Sequence, residues 1–335
     1  MNRPLVVLRC DGGGTYGVGH VMRQLALADE LRARGVSVQV WGTLTDTPWL
    51  VDLLADRQLA VRSVPADPRA LRDAALDAGA SALVLDGYHL DPTTGATLRA
   101  ADLPVLAMVD YSFGTEQDAD LYVDQNLGAQ PHSPRALAGI QYALFRDDVL
   151  ALRRNTASPA APSAAHRVLA VFGGTDPYAA APVVVPALMD TALPLRITAV
   201  AARAEIASAL RSLPVRDGQE LRVVPSTPQL AALAADSDLV VSASGSSVWE
   251  FLCLGIPTAL VCVVDNQQAG YDEAVRREVV AGLGHLDSFD RAAAATTLRS
   301  LLDQTDRRTA LAARGQQLVD GRGRQRVADA LLSLI

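Results

Sequence analysis

The chain of 335 residues has no lysine; all 30 of its basic residues are arginine. That absence excludes lysine Schiff-base chemistry, pyridoxal phosphate on an internal lysine and a lysine-bearing phosphate loop. A phosphate bound here has to be met by backbone N–H groups, hydroxyls or arginine. Cysteine is scarce as well. Cys10, Cys253 and Cys262 form no C-x-x-C pair and no cluster with histidine at zinc spacing, so a zinc site is not expected. They read as small buried apolar residues in a reducing cytoplasm. No run of 18 apolar residues occurs, and the N-terminus reads as a strand without a basic leader. Neither a membrane span nor a signal peptide is expected, and the expected location is the cytoplasm. A formal net charge of −7 argues against a nucleic-acid partner. What remains, 50% hydrophobic and 20% charged, is an ordinary globular composition long enough for two domains.

Strand-like and helix-like runs alternate along the chain. Val36–Trp41, Ala82–Leu85, Val105–Val109, Val168–Phe172, Leu195–Val200, Leu221–Val224, Leu239–Ser242 and Thr258–Val263 are mostly continuous apolar runs. Continuous runs suit parallel strands covered on both faces. Helical patterns such as Glu205–Leu213, Pro228–Ala235 and Gln268–Val280 fall between them, which predicts doubly wound α/β sheets. The pattern breaks once, in an Ala/Pro/Ser-rich stretch that reads as a linker. The expected organisation is a Rossmann-like domain over 1–155, a linker over 156–166 and a second Rossmann-like domain over 167–335. A ligand cleft is expected between two such domains. Arg307–Ile335 reads as helical, a candidate to pack back on the first domain.

The most informative stretch is Arg9-Cys-Asp11-Gly-Gly-Gly-Thr-Tyr-Gly17-Val-Gly19-His20-Val-Met-Arg23. Leu5–Leu8 reads as a buried strand. From Val21, apolar residues recur at helical spacing (Val21, Leu25, Ala28, Leu31), with Gly35 as a stop. A glycine-rich turn between strand and helix offers free N–H groups to an anion. His20 brings a group that holds or releases a proton near neutral pH. Together they point to chemistry on a phosphorylated ligand; a helix-start histidine with no chemical role is the plainer alternative.

Three turns in the second half carry similar signals. Phe172-Gly173-Gly174-Thr175-Asp176-Pro177 follows a strand, and its glycines permit close approach of a ligand. Thr175 and Asp176 are candidate caps for the next helix. Ser242-Ala-Ser244-Gly245-Ser246-Ser247-Val-Trp249-Glu250 follows Leu239–Val241 and opens a helix, a setting that suits a diphosphate. Glu250, one turn in, is placed to meet ribose hydroxyls. Asp265-Asn266-Gln267 lies after the next strand, at the sheet edge where open α/β folds bind ligands. A plain strand-to-helix turn would also account for the first of these, a Ser-capped helix with a solvated Glu250 for the second and simple helix capping for the third.

Taken in order, these residues resemble the nucleotide-sugar hydrolases of the pseudaminic-acid pathway, the PseG/SpsG type. Arg9, Asp11, Gly17, Gly19, His20 and Arg23 match the family's R-x-D and G-x-G-H-x-x-R. Asp86 and Tyr88 match its second motif, and Asp110 its next strand-end aspartate. Asp120-Leu-Tyr-Val-Asp-Gln125-Asn126 is similar to its D-x-x-x-N-Q-N, with Asp124 replacing the first Asn. Tyr142-Ala-Leu-Phe-Arg146 resembles the segment ending the first domain, and Phe172–Pro177, Ser244–Gly255 and Asp265–Gln267 resemble motifs of the second. The resemblance implies a GT-B architecture related to the glycosyltransferase MurG, with two Rossmann-like domains facing a cleft. It implies hydrolysis of a UDP-linked amino or deoxy sugar, with neither metal nor cofactor. It also implies roles for three residues: His20 as the base for water, Tyr88 as its assistant, Asn266 as a holder of sugar or pyrophosphate. The accompanying binding set is Arg9, Asp11, Gly17, Gly19, Arg23, Asp86, Gly173, Gly174, Thr175, Ser244, Gly245, Ser246, Ser247, Glu250, Asp265 and Gln267. His89, His132, His166 and His285 read as surface or loop residues, His89 being the exception to watch beside Tyr88.

Three other functions compete. A GT-B glycosyltransferase would share the nucleotide end but take an acceptor in place of water. A non-catalytic nucleotide-sugar binder would bind without turnover. A dehydrogenase ranks last, because the first turn does not continue as G-x-G-x-x-G. Nothing in the sequence addresses oligomeric state.

Overall fold

The computed structural model of the protein describes residues 3–14, 16–154 and 165–335. The expected linker lies outside them except for its last two residues. The chain divides into two compact units: Met1–Asp147 with Gly321–Ile335, and Asp148–Asp320.

The first unit holds β1 (Leu5–Cys10), β2 (Gly12–Gly13), α1 (Gly19–Ala33), β3 (Ser37–Trp41), β4 (Leu44–Thr45), α2 (Pro48–Asp56), β5 (Val61–Arg62), α3 (Pro68–Asp77), β6 (Ala82–Asp86), α4 (Thr94–Arg99), β7 (Val105–Val109), β8 (Leu121–Asp124) and β9 (Ala136–Ala138). α5 (Asp147–Ala151) begins at its boundary. Seven strands form one parallel sheet in the order β5-β3-β1-β6-β7-β8-β9. Successive residues of β1 point to opposite faces, and both faces are covered. Val6, Leu8 and Cys10 pack with Leu25 and Leu31 of α1, while Val7 packs with Leu71 of α3 and Leu98 of α4. That two-sided burial is why the strand reads as an unbroken apolar run. α1 stops as predicted: Gly35 takes φ +81°, and its N–H and that of Val36 reach back to Arg32 and Leu31 at 3.0 Å, a Schellman closure.

The second unit runs β10 (His166–Val171), α6 (Ala180–Met189), β11 (Leu195–Ala201), α7 (Ala204–Arg211), β12 (Gln219–Pro225), α8 (Leu230–Ala235), β13 (Leu239–Ala243), α9 (Ser247–Leu254), β14 (Thr258–Cys262), α10 (Gln268–Arg276), β15 (Ala281–His285), α11 (Arg291–Asp303) and α12 (Thr305–Leu318). Its six strands are all parallel, in the order β12-β11-β10-β13-β14-β15. Both sheets therefore reverse direction of winding beside their first strand. The reversal opens a crevice at the carboxyl edge, between β1 and β6 in one unit and between β10 and β13 in the other.

The helical C-terminus is two helices, not one. After α12 the chain turns at Gly321 (φ +79°) into α13 (Gly323–Leu332), which belongs to the first unit. Val327, Ala328 and Leu331 are fully buried beside α1 residues, and the Val and Leu burial contributes about 1.5–3 kcal/mol each. Only glycine fits at 323: a Cβ there would lie 2.1 Å from the Ala143 carbonyl. No helix among the described residues is long and apolar enough to cross a membrane.

Candidate active site

The crevice of the first unit is filled by charge. His20, Arg23 and Gln24 sit at i, i+3 and i+4 on α1, so they share one face. That face meets Asp86, the last residue of β6. The Asp86 carboxylate is fully buried and accepts four hydrogen bonds. They come from His20 Nδ1 at 2.6 Å, Arg23 Nε at 2.7 Å, Arg23 Nη2 at 2.5 Å and Gln24 Nε2 at 2.7 Å. Burial alone would raise its pKa. The charge of Arg23 first, then His20, and their hydrogen bonds overturn this and hold the carboxyl well below the usual range. An ionised carboxylate only accepts, so Nδ1 of His20 carries a hydrogen, and whenever the imidazole is neutral Nε2 is its acceptor.

Arg23 extends the network. Burial opposes its charge, but Asp110 and Asp86 hold its pKa above the ordinary value. Its Nη1 and Nη2 bond both oxygens of Asp110 at 3.0 Å, a fork-to-fork pair. Asp110 also accepts from the Tyr88 hydroxyl at 2.6 Å and from Asn126 at 2.8 Å. Against the pull of burial, Arg23 keeps the Asp110 carboxyl low. Burial, then the Asp110 charge, pushes the Tyr88 phenol far above its usual pKa, so Tyr88 is a neutral donor. Its ring stands edge-on to His20 at 4.9 Å.

A second imidazole lies close by in the chain. His89 Nε2 meets Asp11 Oδ2 at 2.5 Å. Asp11 also faces Arg9 at 2.8 Å and accepts the Thr43 N–H at 2.6 Å. Arg9 is buried, and among the described residues its Nε has no hydrogen-bond partner. The glycine-rich turn folds tightly over this end of β1. Gly13 takes φ +88°, its N–H reaches the Gly17 carbonyl at 2.6 Å, and a Cβ on Gly13 would lie 1.7 Å from the Thr45 carbonyl. Gly17 is also left-handed, at φ +72°, with open space around it, and Gly19 opens α1.

In the second unit three turns crowd the carboxyl edge of β10, β13 and β14. Gly173, at φ +86°, follows β10 with open space at its Cα; Gly174 accepts the Ser226 hydroxyl at 2.9 Å. Asp176 is committed to α6, accepting from Ala180 at 2.8 Å and Ala181 at 3.1 Å. Thr175 does not share that capping role. Ser244 and Gly245 follow β13, and α9 then starts at Ser247 without a side-chain cap, Ser246 being exposed. An uncapped helix start leaves N–H groups for an anion. Gln267 reaches this turn: a Cβ on Gly245 would lie 3.9 Å from Gln267 Nε2. Asp265 and Asn266 stand exposed in the same short helical turn, and Glu250 is half-buried in α9.

The structure thus gathers His20, Arg23, Asp86 and Tyr88 into one network, Arg9 and Asp11 into another, and the Ser244–Ser247 and Asp265–Gln267 turns into a third. Expected at the ligand, Asp86 has no exposed surface and is bonded to His20 instead; Arg9, Asp11 and Arg23 are buried too. Sequence reading passed over Gln24 and the bond of His89 to Asp11. The available signal for Gln24 was a polar pair, Arg23–Gln24, interrupting the apolar stripe of α1. Among the described residues, no three His, Cys, Asp or Glu side chains are grouped to hold a metal.

No family model matches the chain. An uncharacterized Methanocaldococcus jannaschii protein, MJ1062, is 19% identical across 81% of this chain, which spans 58% of that protein's length. The UDP-N-acetylglucosamine–N-acetylmuramyl-(pentapeptide) pyrophosphoryl-undecaprenol N-acetylglucosamine transferase of Sorangium cellulosum is 28% identical, over 88% of this chain and 82% of that one. Among solved structures, Acinetobacter baumannii MurG superposes with a TM-score of 0.73 at 18% identity, covering 99% of this chain and 100% of its own. The spinosyn forosaminyltransferase SpnP gives 0.69 at 12% identity over 99% and 100%. The spinosyn rhamnosyltransferase SpnG, solved with thymidine diphosphate, gives 0.65 at 17% over 95% and 96%. The fold is that of the GT-B glycosyltransferases. The expected sugar-nucleotide hydrolase is overturned and its alternative favoured, because the Sorangium cellulosum protein, SpnP and SpnG are named as transferases and the fold matches that of MurG. The physical reason for the misreading is that hydrolysis and glycosyl transfer share a donor turn and a base, and differ only in the oxygen that attacks. The motifs describe the shared parts.

Proposed function

We propose that this protein is a glycosyltransferase that moves a sugar from a nucleoside-diphosphate donor to a hydroxyl of an acceptor. The observation that carries the reading is the Asp86-fixed imidazole: with Nδ1 bonded at 2.6 Å to an ionised, fully buried carboxylate, His20 presents a basic Nε2. In the reaction, Nε2 takes the acceptor O–H proton as that oxygen bonds to the anomeric carbon. The bond from that carbon to the diphosphate oxygen breaks, and the diphosphate leaves with the electron pair. Asp86 stabilises the imidazolium that forms, as in other His–Asp pairs. Base catalysis of this kind contributes roughly 100- to 10,000-fold.

The donor is assigned to the second unit. Gly173, Gly174, Thr175 and the Ser244–Ser247 turn would meet the diphosphate through N–H groups and hydroxyls, as a lysine-free chain requires. Glu250 would accept from ribose hydroxyls, and Asp265, Asn266 and Gln267 would contact the sugar. Tyr88, a neutral phenol, would orient His20 through its ring and Asp110. The GT-B fold and the transferase names of the similar proteins support this reading.

The test is a panel of UDP- and TDP-sugars, each incubated with and without acceptor alcohols, read as nucleotide release and glycoside formation. Release that depends on acceptor, and that falls at least about 100-fold in His20→Ala, is the expected result. Release at the same rate without acceptor, or an undiminished His20→Ala protein, overturns the proposal.

A further inference from the structure

Aromatic residues make up only 4% of the chain, yet three of its exposed ones cluster around the two imidazoles. Tyr16, Tyr88 and Phe113 are 47%, 46% and 44% exposed. The Tyr88 ring stands 4.9 Å from His20 and 5.2 Å from Phe113, tilted 45° to the latter. Tyr16 lies over His89 at 4.4 Å, and His89 is the residue after Tyr88. Exposed apolar rings that touch one another and are bordered by polar groups are a feature of binding surfaces.

These rings are held in place. The Tyr88 hydroxyl is tied to Asp110, so only its ring is on offer. Phe113 sits on a turn closed by two 3.0 Å backbone bonds to Asp110. Tyr111 within that turn takes φ +57°, a costly conformation for tyrosine. It is pinned by Asp124 at its N–H (2.7 Å) and by the Leu127 carbonyl at its hydroxyl (2.9 Å). A strained turn anchored by separate contacts keeps Phe113 facing solvent instead of folding it inward.

We propose that Tyr16, Tyr88 and Phe113 form an aromatic ledge for the acceptor, and that the acceptor is an alcohol whose hydroxyl is borne on a ring. The flat C–H or π face of that ring lies on the ledge, and one hydroxyl reaches His20. This rests on the glycosyl-transfer reading of His20. An open-chain alcohol lacks the flat face and gains little. An anionic acceptor is disfavoured by the ionised Asp110 at the base of the ledge.

The test uses the full chain without donor, so that no turnover is needed. Saturation-transfer NMR and titration with phenyl β-D-glucopyranoside are compared with glycerol. The wild-type protein is expected to transfer saturation to the phenyl and ring-face protons of the glucoside and not to glycerol. Phe113→Ala and Tyr16→Ala each weaken glucoside binding at least fivefold. Phe113→Leu, which keeps apolar bulk without a flat ring, also loses affinity and guards against an unfolded Ala variant. Wild-type affinity in Phe113→Leu and Tyr16→Ala, or equal saturation of glycerol, overturns the ledge. If no donor is ever turned over but the ledge variants lose binding, the transferase reading fails and the binding site stands; transfer activity with unchanged binding gives the reverse.

Discussion

Replacing Asp86 with asparagine separates the two duties that the structure gives this carboxylate. One oxygen accepts from Arg23 Nε and Gln24 Nε2, the other from His20 Nδ1 and Arg23 Nη2. An asparagine keeps one acceptor and turns the other into an NH2 donor. If the NH2 faces Nε and Nε2, two donors collide with it and neither has a substitute. If it faces the other side, Arg23 Nη2 retains Asp110 at 3.0 Å, and His20 accommodates by moving its hydrogen to Nε2. The second orientation is favoured. The stability loss is then about 1–3 kcal/mol, the cost of one weakened charged hydrogen bond. In Asp86→Ala, which leaves the Arg23 and Gln24 donors unmet, it is about 3–5 kcal/mol. The rate moves the other way. With Nε2 protonated the base is gone, and the same exchange in serine-protease triads costs roughly 10,000-fold. Urea unfolding should therefore rank Asp86→Ala as the less stable variant, while acceptor-dependent nucleotide release falls at least about 100-fold in Asp86→Asn. Nitrogen-15 NMR of histidine-labelled protein should show the His20 tautomer reversed. An Asp86→Asn protein with the wild-type tautomer and more than a third of the wild-type rate would refute the reasoning.

Other consequences can be measured without substrate. Asp86 and Asp110 both have native pKa values held down by Arg23. The stability they supply is present above the unfolded carboxylate value, about 4, and is lost as pH falls through their lower native values. Urea unfolding at stepped pH should show that decline, and Arg23→Gln should flatten it; an unchanged slope in Arg23→Gln contradicts the assignment. Tyr88 titrates in the opposite sense. Its raised pKa means that its contribution is full below about pH 10, the unfolded value, and is lost as pH rises beyond it. Tyr88→Phe should lose stability less steeply above that pH than the wild type, with the difference read by thermal unfolding. The glycine turn offers a contrast in sterics. Gly17→Ala meets only the left-handed penalty, about 1–2 kcal/mol, since nothing lies within 4 Å of its Cβ position. Gly13→Ala adds a 1.7 Å collision with the Thr45 carbonyl and should cost clearly more by urea unfolding; equal losses would mean that the turn yields.

What could be read from the sequence, and what could not, divides by range. Val6–Leu8 and Leu239–Val241 show as strands because both faces of each sheet are covered, and the signal is entirely local. The same holds for Gly35, whose positive φ ends α1, and for the Ser244–Ser247 turn that opens α9. Asp86 and Tyr88 stood out as strand-end residues, but the purpose of Asp86 did not, because its partners lie more than 60 positions away on α1. The C-terminal helix shows the same limit: its apolar stripe says that it is buried, and only contact with α1 says where. Acceptor choice lies furthest from local pattern. Tyr16, Tyr88 and Phe113 come from three separate loops; Tyr88 stood out only as a partner for His20, Tyr16 and Phe113 did not stand out at all, and the ring contacts of the proposed ledge form only when β1, β6 and β7 lie side by side. Water needs no such surface. A base and a donor turn, which are short-range features, describe hydrolysis and transfer alike; the aromatic ring contacts beside His20 are where the two reactions would part, and they are legible only in three dimensions.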